Sequence, residues 1–171
     1  MRLPVLALLL VATLTGSTHQ PPWTLTLRSV GPVRIGSTIA EFRRAMGREL
    51  APGQINRDCG YAHTRDEAVY FYTRNGRVAL ASVRDGSSVR TPSGIRVGST
   101  ERDLRQAYAG RLVSGGSPEG SGEYLVYVPQ DVDDQNYRLV FLVDEGRVLS
   151  MDVGTMPDIL STGEASRCFE G

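Results

Sequence analysis

The sequence contains no lysine: its 19 basic residues are all arginine, set against 19 acids for a formal net charge of zero. That balance excludes the clustered positive charge with which nucleic-acid binders neutralise phosphates, so no nucleic-acid partner is expected. The missing Lys accompanies abundant Arg, Ala, Gly and Val, all residues of GC-rich codons, and says little about mechanism. Histidine is nearly as scarce, with only His19 and His63. No Gly-x-Ser-x-Gly elbow is present, so an enzyme of the Ser-His-Asp kind would have to be built around His63 without a nucleophile motif. One histidine in the body of the chain and two distant cysteines give no zinc spacing. Glycine-rich Gly115-Gly116 and Gly120-Ser121-Gly122 have neither the Lys nor the following helix of a phosphate cradle. No cofactor is implied. A hydrogen-bonded surface imidazole accounts for His63, and an enzyme using it stands as the remoter alternative.

Long apolar runs are also few. Leu3 to Leu14 follows Arg2 and is too short to span a bilayer, but it has the length of a signal-peptide core. Positions 1–20 therefore read as a targeting signal, and no later stretch is a transmembrane candidate. Leu14-Thr15-Gly16-Ser17 has the outline of a bacterial lipobox with Ser17 in place of the lipidated cysteine. Serine cannot form the thioether, so a lipoprotein is expected only if Ser17 replaces a native Cys. The expected localisation is exported, secreted or periplasmic. In such a compartment the two cysteines, Cys59 and Cys168, read as one disulfide. It would close a loop worth roughly 4–5 kcal/mol in the chain-entropy account.

What the chain does contain is self-similarity. Val33 to Met46 recurs as Ile95 to Tyr108, with six of fourteen positions identical. Val69 to Val78 then matches Leu139 to Val148, so the two blocks follow each other in the same order in both copies. In the first block, Thr38 and Thr100 have the position of helix N-caps, and Thr38 with Glu41 has capping-box spacing. Ile39, Phe42, Ala45 and Met46 share one helical face, as do Leu104, Ala107 and Tyr108; Gly47 and Gly110 end the helices. The second block reads as a β-hairpin, with Asn75-Gly76 a favoured two-residue turn and Glu145-Gly146 a weaker one. Further strands are expected at 60–64 and 123–128.

The expected fold class is α+β: two tandem helix-plus-antiparallel-strand repeats that pool their strands into one sheet, with the helices on one face. The first repeat covers 24–86 and the second 87–157. The tail, 158–171, forms a strap carrying Cys168 back to Cys59. The irregular stretch from Ser114 to Gly122 is the expected mobile loop. Asp131, Asp133 and Asp134, followed by Asn136, are the densest acidic cluster and could suit Ca²⁺, but the Gly and distal Glu of an EF-hand are missing. A solvated loop between strands is the simpler reading.

A short strand, then Gly-x-Thr opening a helix with an apolar residue four places after the Thr, resembles the SmpA/OmlA-type repeat. Phe42 and Leu104 fill that apolar place. Two such repeats in tandem resemble the β-lactamase-inhibitor-protein-like family. The resemblance implies a joint sheet with a concave, protein-binding face, in a group containing many uncharacterised exported proteins. Alternation along the hairpins puts Phe71 and Phe141 beneath the helices and Tyr70, Tyr72, Val140 and Leu142 on the opposite face. Aromatic residues there are the sort enriched at interfaces. The expected function is a non-catalytic, exported protein-binding module whose partner is another exported or envelope protein. A structural cell-envelope component of the SmpA/OmlA type is the alternative.

Overall fold

The computed structural model describes residues 23–51, 59–66, 68–116 and 122–160. The expected targeting segment, the centre of the Ser114–Gly122 stretch and Cys168 lie outside the described residues.

Three two-residue strands, β1 (Leu25–Thr26), β2 (Ser29–Val30) and β3 (Val33–Arg34), form a small antiparallel sheet of their own. Helix α1 (Ile39–Met46) follows, then β4 (Cys59–His63) and the hairpin β5 (Val69–Arg74) with β6 (Arg77–Val83). Helix α2 (Glu101–Ala107) opens the second half, followed by β7 (Leu112–Ser114) and β8 (Glu123–Tyr127). The hairpin β9 (Tyr137–Asp144) with β10 (Arg147–Thr155) ends it. The seven longer strands make one antiparallel sheet in the order β4-β5-β6-β10-β9-β8-β7. The architecture is mixed α+β, with two sheets rather than one among the described residues. The small sheet escapes sequence reading because two-residue strands are too short to show alternation.

Thr38 caps α1 through a complete capping box: its hydroxyl accepts from the Glu41 N–H, and the Glu41 carboxylate accepts from the Thr38 N–H at 2.8 Å. Thr100 caps α2 by accepting from the Asp103 N–H at 3.1 Å, without reciprocation. Phe42, Met46 and Leu104 are the buried helical residues, whereas Ala45 and Ala107 face solvent. Gly47 is the C-cap of α1; Tyr108 takes that place in α2, with Gly110 two positions on.

The two blocks that recur in the sequence lock onto each other in space. The Gly36 N–H donates to the Val78 carbonyl at 2.7 Å, the Val78 N–H to Ser37 at 2.9 Å, and the Ile39 N–H to Gly76 at 3.2 Å. The Arg77 guanidinium donates back to the Gly36 carbonyl at 2.8 Å. In the second half, Gly98 donates to Val148 at 2.8 Å, Val148 to Ser99 at 2.9 Å and Glu101 to Gly146 at 2.8 Å. Arg147 donates to Gly98 at 3.0 Å. Each helix start is thus bolted to the turn of its own hairpin. Both turns have positive φ at their central residues, 50° and 74° at Asn75-Gly76 and 46° and 73° at Glu145-Gly146, which is the left-handed pair that a tight hairpin requires. Both hairpins also carry a bulge just past the turn, at Ala79 and at Leu149.

These bulges reset the alternation, so that Val78, Ala81 and Val83 of β6 and Val148, Met151 and Val153 of β10 point to the helices. They join Phe71, Phe141, Phe42 and Leu104 in one core that also takes in Leu25, Val30 and Val33 of the small sheet. Phe42 meets Phe71 at 5.1 Å between ring centroids, and Tyr108 meets Phe141 at 5.4 Å. Both helices therefore cover one face of the sheet. The other face is where the two halves differ.

Candidate functional site: the sheet face opposite the helices

Cross-strand pairing places residues in rows on this open face, since directly opposed residues share a side. One row runs across all seven strands: His63, Tyr70, Ser82, Asp152, Val140, Val126 and Val113. The next row holds Tyr61, Tyr72, Leu80, Gly154 and Arg138. The face is therefore aromatic at the β4–β5 end, polar at the centre and aliphatic at the β8–β9 end.

At the aromatic end Tyr61, His63, Tyr70 and Tyr72 are all half-buried. The rings of Tyr61 and His63 stack at 6.4 Å, and His63 meets Tyr70 at 5.5 Å. The His63 Nδ1 lies 2.8 Å from the Thr64 carbonyl, so it carries the proton and donates. No acid is hydrogen-bonded to this imidazole among the described residues. Burial, first, raises the Tyr72 phenol above its ordinary range, and the nearby Arg84 guanidinium opposes it.

At the centre Asp152 is buried between Ser82 and Val140. Desolvation pushes its carboxyl well up; the Arg84 guanidinium and the hydroxyls of Ser82 and Ser150 pull the other way. Ser150 Oγ donates to Asp152 Oδ2 at 3.2 Å. The Ser82 hydroxyl is buried beside them but falls outside ordinary hydrogen-bond geometry.

Beyond the centre, the chain folds back across the face. After β10, a 3₁₀ turn (Asp158–Leu160) lays Ile159 against Leu80, Val126 and Val140 in a second apolar cluster. Gly154 permits this approach: a Cβ there would stand 3.3 Å from Ile159 and 2.8 Å from the Ala79 carbonyl. Asp158 pairs with Arg74 of β5 at 2.6 Å, which ties the turn to the first half. Val140 is consequently 3% exposed and packed under Ile159 rather than presented as an exposed interface residue, which corrects the sequence expectation for it. Leu142 is half-buried beside Tyr124. The expectation failed at Val140 because alternation assigns a face without revealing what lies across it. Past Ile159, a groove of about 360 Å³ opens between β7, β8, β9 and Met156.

The remaining candidates lie elsewhere. Asp131 caps a 3₁₀ turn (Val132–Asp134) by accepting from the Asp133 N–H at 3.0 Å, and Asp134 pairs with Arg28. Among the described residues no group of three metal-ligating side chains converges. Cys59 begins β4, opposite Arg74, and is not a free thiol. Its pairing with Cys168 lies outside the described residues. Among the described residues no helix is long and apolar enough to cross a membrane.

Searches against protein families and against curated proteins find no match. Among solved structures, the chain is similar to an extracellular protein containing an SCP domain from Bacillus anthracis, at 13% identity and a TM-score of 0.46. The similarity covers 74% of this chain and 45% of that one, so the chain spans less than half of that protein's length.

Proposed function

We propose that this chain is an exported, non-catalytic protein-binding module built from two copies of one α+β unit, acting through the aromatic end of its open sheet face. The single observation that carries the binding site is the array of Tyr61, His63, Tyr70 and Tyr72 on two adjacent strands, half-exposed on a rigid sheet. Amphipathic rings on a fixed scaffold add contact area at little cost in conformational entropy. The duplication is supported by the matched bolts, turns and bulges of the two halves. Positions that build the scaffold are shared, such as Arg77 and Arg147 or Phe71 and Phe141, while their open-face neighbours diverge. Tyr70 and Tyr72 of one hairpin correspond to Val140 and Leu142 of the other. Export is supported by Arg2 and the apolar run from Leu3 to Leu14.

The test compares capture of exported proteins by the wild-type chain, by a Tyr61→Ser/Tyr70→Ser variant and by an Arg44→Ala variant on the helix side. A partner retained by wild type and Arg44→Ala but lost from the tyrosine variant, with its melting temperature preserved, supports the reading. Retention by all three overturns it.

A further inference from the structure

The aliphatic end of the open face has a chemistry of its own. Its groove, at about 360 Å³, falls at the lower end of small-ligand pockets, which span roughly 300–1,000 Å³. The floor and walls are Val126, Val128, Val140 and Ile159, with Val113 and Met156 at the lip. Val113 is 51% exposed and Met156 36%, so apolar surface is left open to solvent at the entrance. Among the described residues no acid lines the groove, and the one charged residue that does is Arg138.

Arg138 is held in place and, among the described residues, has no acid partner. Its Nη1 donates to the carbonyls of Gln135 and Tyr137, both at 2.7 Å, which fixes the guanidinium at the head of β9. Nε and Nη2 have no acceptor among the described residues, and none of the four described ion pairs includes Arg138. A half-buried guanidinium with two spare donors, set against an apolar trough, matches an anion at one end of a hydrocarbon chain.

We infer that this groove binds an amphiphilic monocarboxylate of the medium-chain fatty-acid class. The carboxylate accepts from Nε and Nη2 of Arg138, and the hydrocarbon lies along Val126, Val140 and Ile159. This site is separate from the aromatic end of the face, so it stands or falls independently of the protein-binding reading.

Isothermal titration calorimetry of the full chain with octanoate, decanoate and decanol tests it, with backbone amide NMR shifts to locate the ligand. Saturable binding of decanoate below its micelle concentration is expected, with Kd tightening about fourfold for each added methylene. Arg138→Gln should weaken decanoate roughly tenfold or more, the loss of a charge-assisted hydrogen-bond pair, while leaving decanol nearly unchanged. Val113→Trp, at the exposed lip, should block both ligands and keeps the test decisive if Arg138→Gln fails to fold. No saturable binding, equal weakening of acid and alcohol by Arg138→Gln, or shifts mapping away from β8, β9 and Ile159 would overturn the assignment.

Discussion

Replacing Phe141 with alanine removes a fully buried ring from beneath α2, where it packs on Tyr108 and on the β8 and β10 neighbours Leu125 and Met151. Phe→Ala at such a site costs about 3–5 kcal/mol, because the cavity adds to the lost transfer energy. With an m-value of about 2 kcal/mol/M in urea, the midpoint should fall by roughly 1.5–2.5 M. The decisive readout is distant from the mutation. Trp23 is the only tryptophan, and it packs on the core beside the small sheet of the first half. The two halves meet along β6 and β10 with a continuous antiparallel register from Val83–Met151 to Leu80–Gly154. They should therefore unfold together, and Trp23 fluorescence should shift by the same amount as far-UV circular dichroism. Two separated transitions, with the Trp23 transition unmoved, would refute the reasoning that one core serves both halves.

Three further outcomes follow from the geometry. Thr38→Ala and Thr100→Ala should each destabilise by about 1 kcal/mol, with Thr38 the costlier because its box has two bonds; equal urea midpoints for both variants and wild type would place the helix starts elsewhere. Asp152 carries a carboxyl whose folded pKa lies above its ordinary 3.8, so the folded state holds its proton longer than the unfolded state. Its contribution therefore falls as pH rises from 3.8 toward the folded value, and Asp152→Asn should raise the melting temperature at neutral pH, with the gain vanishing in acid; a lowered one would show the ionised carboxylate to be well paired with Arg84. Mass spectrometry of unreduced, alkylated protein should find neither Cys59 nor Cys168 labelled, and two labelled thiols would exclude a bond between them.

Much of the scaffold was legible because its chemistry is local. The Thr38 and Thr100 caps, the Asn75-Gly76 turn and the helix-facing phenylalanines each follow from side chains a few positions apart. The recurrence itself has a spatial reason that the sequence shows only as two blocks. Gly36 and Val78, or Gly98 and Val148, are hydrogen-bonded partners although a helix and several strands separate them along the chain. Contacts that depend on an unseen neighbour were not legible. The bulges at Ala79 and Leu149 shift the strand phase by a single position without any glycine to mark them. Val140 and Leu142 look equivalent in sequence, yet Ile159 buries only the first among the core. That docking hinges on Gly154, a strand glycine whose meaning appears only once Ile159 is placed above it. His63 and Tyr61 entered the candidate site for the same reason: their pairing with Tyr70 and Tyr72 is a register, and register is not written in a single strand.

The central claim is that the aromatic end of the open face meets a partner protein. A photo-crosslinking amino acid placed at Tyr70, and in a second strain at Arg44 on the helix side, tests it in the producing cells. The account predicts a discrete protein adduct from position 70 and none from position 44. Adducts from position 44 alone, or from neither position, would contradict it.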